Sequence, residues 1–273
     1  MSSSNSRNWR WVASGLGALL LAFSLAAPAA ACPRIVSQSP YITRALEWFG
    51  LGQCIVGVSR YDERELPRTG GVLDPDADAI AVLDPQLMIT SNWTPADVWQ
   101  TAAPAGATAL RVDGFRSMAD AEAMLRAIGQ AAGVSDADAR VDGFARDWRA
   151  AAATVVGRGR RLLIVSACSG IPYSYGRNTT LFDLFESAGF HVVENREGIR
   201  QLQAGEPVET LAALVAATRA EAVVALVSSR TPSCSAQLAA AGVPIIAFAD
   251  DSFIHPGAGL IDALRQLRER MHD

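Results

Sequence analysis

The chain has little of what most metal and cofactor chemistry is built from. Its three histidines, His191, His255 and His272, are scattered over 273 residues and make a poor transition-metal cluster. Four cysteines are present but no CxxC pair, so a zinc site or a thioredoxin-like motif lacks its signature. There is no Walker phosphate loop, no GxGxxG fingerprint and no HExxH pair. No basic tract occurs either, which points away from nucleic acid as a partner. Charged residues make up only 19% and apolar residues 50%, so a sizeable core is expected and global disorder is not.

What is present begins with an export signal. Arg7 and Arg10 precede an apolar run from Trp11 to Ala26, and Ala29-Ala30-Ala31 has the small residues of a cleavage site. The run is short for a spanning helix, so residues 1–31 read as a removable leader. Losing its two arginines takes the formal net charge from −4 to −6. Cys32 follows the cleavage site directly, but Ala29 stands where a bacterial lipoprotein signal usually has Leu, which disfavours a lipid anchor there. All four cysteines (Cys32, Cys54, Cys168, Cys234) then lie in the mature chain, in an oxidising compartment. Three pairings are open. Cys32 and Cys54 each precede a predicted strand, and Cys168 and Cys234 each follow one, which favours 32–54 and 168–234.

Short β-branched runs alternate with amphipathic segments throughout, predicting an α/β fold with mostly parallel sheets covered by helices. Strands are expected at Arg34–Ser37, Cys54–Val58, Leu87–Thr90, Ala107–Val112, Arg161–Ser166, Phe190–Val193, Ala222–Val227 and Val243–Phe248. Ser39-Pro40 and Ser117 open helices as caps. The stretch Ser135–Gly157 reads as one long helix, with Val141, Phe144, Ala145, Trp148, Ala152 and Val155 on a single apolar stripe. Ser135 is its expected cap and Gly157 its stop, and Gly143 lies inside it.

The segments on either side of that helix repeat one another. LDPQLMITSNW and RAEAVVALVSSR both run from helix exit through strand to loop, and AAPAGATALRVD matches LAAAGVPIIAFAD as helix, Ala-Gly turn and strand. Asp78 and Glu209 begin corresponding helices. The expected organisation is therefore a lobe at 33–134, a connecting helix at 135–158 and a second lobe at 159–273, with a cleft between lobes.

Three segments, RIVSQSPYITRALEWFGLGQCIVGVSRYDE, AIAVLDPQLMIT and YGRNTTLFDLFESAGFHVVEN, resemble the periplasmic binding proteins of ABC importers, in the branch that carries cobalamin, haem and ferric siderophores. The resemblance covers most of the chain from Pro33 onward. It implies two α/β lobes joined by a long helix, a bulky ligand containing cobalt or iron, no cofactor of the protein's own, no catalysis, and delivery as a monomer to an inner-membrane permease dimer. It also implies that one acid on each lobe, Asp78 and Glu209, docks to that permease. Haem carriers of this kind commonly have an iron-ligating tyrosine where this chain has Val72 after Gly71. That departure favours a corrinoid or a ferric siderophore, unless His255 or another tyrosine substitutes.

In parallel sheets the loops after the strands line the ligand crevice. The candidate ligand residues there are Arg60, Tyr61, Trp93, Tyr173, Tyr175, Arg177 and Phe253, since flat ligands are held by aromatic faces with a few polar groups. Arg64 and Arg68 offer further positive charge to an anionic ligand group. One rival reading is a secreted thiol enzyme. Cys168 follows a strand, with His191 or His255 and Asp250 or Asp251 as base, but Ser166 occupies the first glycine of the nucleophile-turn pattern. Another rival is a haem or metal-ion binding protein of the same fold.

Overall fold

A computed structural model of the protein describes residues 32–166, 171–227, 238–249 and 253–272. The expected leader, Cys168, Cys234, Asp250 and Asp251 lie outside the described residues.

The first sheet is built from β1 (Ile35–Ser37), α1 (Pro40–Trp48), β2 (Ile55–Val58), α2 (Ala77–Val82), β3 (Leu87–Ser91), α3 (Ala96–Ala102) and β4 (Thr108–Val112). Its four strands are all parallel, in the order β2-β1-β3-β4. Two helices follow, α4 (Met118–Ala131) and α5 (Ala137–Thr154). The remainder comprises β5 (Arg161–Ser166), β6 (Tyr173–Tyr175), α6 (Thr180–Ser187), β7 (His191–Val192), β8 (Ile199–Gln201), α7 (Leu211–Thr218), β9 (Ala222–Val227), β10 (Ile245–Ala249) and α8 (Gly259–His272). The second sheet runs β10-β9-β5-β6-β8, with β7 beside the start of β5. Here β6 pairs antiparallel with both of its neighbours, so the stretch after β5, expected to be loop as far as Tyr175, contains a strand.

Strand alternation divides the core. Successive side chains point to opposite faces of a sheet, so Ile35, Leu87 and Ile89 face the central helices while Val36 and Met88 face Ile80 and Trp99 on the outer side. In the second sheet Leu162, Ile164, Val224 and Leu226 join the central cluster, and Leu163, Val165, Val223 and Ala225 pack against Leu211 and Leu214 of α7. One apolar cluster thus runs from the first sheet through α4, α5, α6 and α8 to the second.

The long helix is shorter than its spacing predicts. Its 18 residues rise about 27 Å. Asp136, not Ser135, holds the cap position and makes no side-chain cap bond, and the helix ends at Val155. Gly157 lies beyond that end and serves packing instead. A Cβ there would meet the Phe190 backbone nitrogen at 2.5 Å, so only glycine lets this turn lie against Gly189–Phe190. The predicted stripe is buried as expected. Far from bridging open space, α5 packs along α4 and α8. Trp148 Nε1 donates to Glu122 Oε1 of α4 at 2.9 Å, and Arg149 pairs with the same carboxylate at 3.0 Å. Arg140 lies over the rings of Trp48 and Phe49 and donates to their carbonyl oxygens.

The two halves also bond directly. Thr180 donates its backbone N–H to Phe115 O at 2.7 Å and its hydroxyl to Gly114 O at 2.8 Å, while Met118 N–H donates to Asp183 Oδ2 at 2.8 Å. Cys32 and Cys54 form a disulfide, as their strand positions suggest. The Cys32 sulfur is therefore not free for a lipid thioether.

A candidate ligand cleft between the two sheets

The C-terminal wall of the site is the antiparallel β6–β8 pair, and its two faces do different work. The register sets Tyr173 opposite Gln201, Ser174 opposite Arg200 and Tyr175 opposite Ile199. Tyr173, Tyr175, Ile199 and Gln201 line a cleft of about 480 Å³. The alternate residues turn the other way, onto Glu194, which is 1% exposed. Glu194 accepts from Ser174 Oγ at 2.8 Å, from Arg200 Nε and Nη2 at 2.8 and 3.1 Å, and from Arg196 N–H at 3.0 Å. Burial alone would raise the Glu194 carboxyl; the Arg200 fork, with the Arg196 amide and the Ser174 hydroxyl, outweighs it and holds the group below its ordinary value. Arg200 is held above its own by the hydrogen bonds to Glu194.

The N-terminal wall comes from the turns after β3 and β4. Asn92 N–H donates to Val112 O at 2.8 Å and Trp93 N–H to Ser91 Oγ at 3.1 Å, which fixes a tight turn with Trp93 at its tip. Its ring is 57% exposed and stacks on Phe115, with centroids 5.2 Å apart and planes 22° from parallel. An exposed indole backed by another ring is a ready platform for an apolar face. Thr179 caps α6 by accepting from Phe182 N–H at 3.2 Å, and with Thr180 and Leu181 it lines the cleft between the two walls.

Of the candidate ligand residues, the structure brings Trp93, Tyr173, Tyr175 and Phe253 to one cleft. Phe253 is 1% exposed and packs on Phe185 and Phe248, so it is a core aromatic whose edge closes the cavity. Arg60, Tyr61 and Arg177 are not among the lining residues. Arg60 pairs with Asp74 at 2.5 Å, Arg64 with Glu47 at 3.0 Å, and Arg68 donates to the carbonyls of Ser59 and Asp62. These arginines brace their own loop, so the charge expected to meet a ligand is already engaged. Tyr61 is 61% exposed beside Gly71. Arg177 is exposed, and its carbonyl accepts from Gly198 N–H.

The sequence reading missed Phe115, Arg196, Ile199, Gln201 and Glu206. Phe115 follows a strand that was identified, so the loop rule applied to β4 would have found it. The others depend on the unrecognised β6–β8 pairing. Arg196 and Glu206 give the cleft one charge of each sign. Among the described residues no group of three metal-ligating side chains converges.

The two acids with an implied docking role are both exposed. Asp78 lies in the first turn of α2, whose cap is Asp76, accepting from Ala79 N–H at 3.0 Å. Glu209 does not begin α7. It precedes the cap, Thr210, and accepts from Gly205 N–H at 2.9 Å. The acids are therefore offset by three positions relative to their caps.

No protein-family model matches the chain, and no curated protein matches it in sequence. Solved structures do. The periplasmic heme-binding protein RhuT from Roseiflexus sp. RS-1 superposes with a TM-score of 0.71 at 20% identity, covering 89% of this chain and 98% of that one. A periplasmic heme binding protein from Pseudomonas aeruginosa gives 0.71 at 20% identity, covering 88% and 92%. The periplasmic vitamin B12 binding protein BtuF of Vibrio cholerae gives 0.67 at 16% identity, covering 88% and 97%. At these identities the likeness is one of fold: the chain has the two-lobed α/β architecture of these binding proteins.

Proposed function

We propose that the protein is the solute-binding component of an ABC importer, exported through cleavage of residues 1–31 and working in the periplasm as a monomer. It captures a bulky metal chelate, a corrinoid or a ferric siderophore, between the lobes and delivers it to a permease dimer in the inner membrane. The observation that carries this reading is the cleft itself. Trp93 stacked on Phe115 faces it from one half and Tyr173 and Tyr175 from the other, with few charges between. Proteins of the same fold bind heme and vitamin B12. A binding role accords with those neighbours, and the thiol reading falls on Cys168, outside the described residues.

Titration with cyanocobalamin, ferrichrome and haemin, followed by tryptophan quenching and thermal shift, tests the proposal. One of the three is expected to bind at micromolar concentration; silence from all three means that the ligand class is wrong. A haem reading has one observation in its favour. A Cβ at Gly71 would lie 3.4 Å from the Tyr61 ring, so a phenol stands beside the place where Val72 departs from the haem pattern. Haemin binding with a Soret shift that Tyr61→Phe abolishes would select that reading. For the docking acids, Asp78→Lys with Glu209→Lys is expected to impair uptake while leaving ligand affinity unchanged. Lost affinity would place these acids in the ligand site.

A further inference from the structure

Beside the main cleft lies a second space of about 60 Å³. Its walls come from both halves of the chain: Tyr41, Arg44 and Ala45 of α1, and the segment from His255 to Gly259 that leads into α8. Pro256 borders both spaces. Tyr41 packs edge-on against Phe115, with centroids 4.9 Å apart, and Phe115 is itself a wall of the cleft. One proline and one aromatic ring separate the two.

Arg44 and His255, at the border of the small space, have partners of their own, whereas the Tyr41 hydroxyl and the first N–H groups of α8 meet no acceptor among the described residues. Tyr41 is 3% exposed, and its hydroxyl has no partner within hydrogen-bonding distance among the described residues, the Ser91 side chain being the nearest polar influence on it. Buried hydroxyls are rarely left so, because the lost hydration is not replaced. The first turn of α8 bonds Leu260 N–H to Gly257 O and Ile261 N–H to Ala258 O, and among the described residues no acceptor meets the backbone N–H of Ala258 or Gly259. The start of a 14-residue helix also carries partial positive charge. Burial pushes the Tyr41 phenol well above its ordinary value, against a smaller opposing effect of the Ser91 hydroxyl, so it remains a neutral donor. Among the described residues the carboxylate that bears on Tyr41 is Asp113, which is paired with Arg116 at 3.0 Å. A water needs about 10–15 Å³ on this measure, so the space has room for a carboxylate.

From this we infer that the small space is a subsite for a carboxylate group, with Tyr41 Oη and the start of α8 as its donors, placed to receive an acidic arm of a ligand lying in the cleft. The link to a cleft ligand rests on the proposed function; the subsite does not. A chelate with a free acid is thereby favoured over one whose periphery is wholly esterified.

Tyr41→Phe removes the hydroxyl and keeps the ring. With chloride as the only anion, the variant is expected to melt at the wild-type temperature or above it. A fall of several degrees would mean that the hydroxyl already has a structural partner such as Ser91, and the proposal fails. Replacing 100 mM chloride by 100 mM acetate at pH 7 is expected to raise the wild-type Tm by about 2 °C and to leave the Tyr41→Phe variant unmoved. Equal shifts in both proteins, or none in either, overturn the subsite. The chelate titration reads the cleft separately, so an acetate effect without chelate binding would retain the subsite and reject the proposed cargo.

Discussion

The two walls of the cleft are held by different chemistry. Behind the N-terminal wall the loop from Ser59 to Asp76 is fastened largely by buried neutral groups, together with one buried carboxylate, Asp62, that accepts from Thr43, and exposed ion pairs such as Arg60–Asp74. Gln38, 0% exposed, donates to the carbonyls of Thr69 and Gly71 at 2.7 and 2.9 Å, and Thr69 Oγ1 donates back to Gln38 Oε1 at 2.8 Å. The hydroxyls of Thr90 and Thr94 pair at 2.6 Å, and Thr94 reaches Val72 O at the same distance. On the C-terminal side the β6–β8 pair is fixed by one buried carboxylate, Glu194, which pairs with the partly buried Arg200 and also fastens Ser174 and the Arg196 backbone. Distributed neutral bonds fail piecemeal and ignore pH. A single buried carboxylate fails all at once, and does so in acid.

The largest expected effect breaks the charged side. Glu194→Gln leaves the partly buried Arg200 without its counter-ion and should cost about 3 kcal/mol or more in urea denaturation. Ligand affinity should fall with it, because the same strand pair presents Tyr173 and Tyr175. The sign of the pH dependence follows from the lowered carboxyl. Its contribution is complete above the ordinary value of 4.5 and is lost as pH falls through the lower folded value. The stability gap between wild type and Glu194→Gln should therefore be constant from pH 7 to 5.5 and narrow below about 4.5. A gap that stays constant to pH 3 would remove the ion pair from the account.

Next comes the disulfide, which closes a sequence separation of 22 residues on the neutral side. The double variant Cys32→Ser, Cys54→Ser should lose about 3 kcal/mol with no change in pH profile. A smaller loss is expected for Thr69→Val, about 1–3 kcal/mol, from leaving the Gln38 amide oxygen buried without its donor. Its Tm deficit should be equal at pH 5 and pH 7. The smallest effect belongs to the helix between the walls. A Cβ at Gly143 has only the end of Arg146 within reach, at 3.8 Å, so Gly143→Ala should stabilise the protein by about 0.5–1 kcal/mol and favour neither wall. Destabilisation there would show that α5 needs that glycine to bend.

How much of this was legible depended on element length. The stripe of α5 spans five turns and names its buried residues unambiguously. The strands RLLIVS and AVVALV are six residues each and declare themselves by composition. The strands YSY and IRQ are three residues each, too short for an alternation to be told from a loop. What makes them strands is their antiparallel pairing with each other, braced by Glu194 from outside both, and with that pairing went Ile199 and Gln201. Helix starts were misplaced for a related reason. Asp76 and Thr210 cap α2 and α7, but acids near a helix start are favoured at several positions, so composition alone does not select the capping one.

The sequence by itself determined the α/β class, the mostly parallel direction of the longer strands and the buried stripe of α5, and it favoured the Cys32–Cys54 bridge, because each follows from local periodicity or position along a strand. It also placed Trp93, Tyr173 and Tyr175 at strand ends, where a cleft would form. Tertiary structure decided which candidates meet there. The loop arginines turned to Asp74, Glu47 and nearby carbonyls, since a partner close in space wins over an absent ligand. Tyr41, which nothing in the sequence singled out, came to rest at the join of the two halves with a hydroxyl that meets no partner among the described residues. Its neighbours there are supplied by α8, more than 200 residues along the chain, and no local pattern carries that distance.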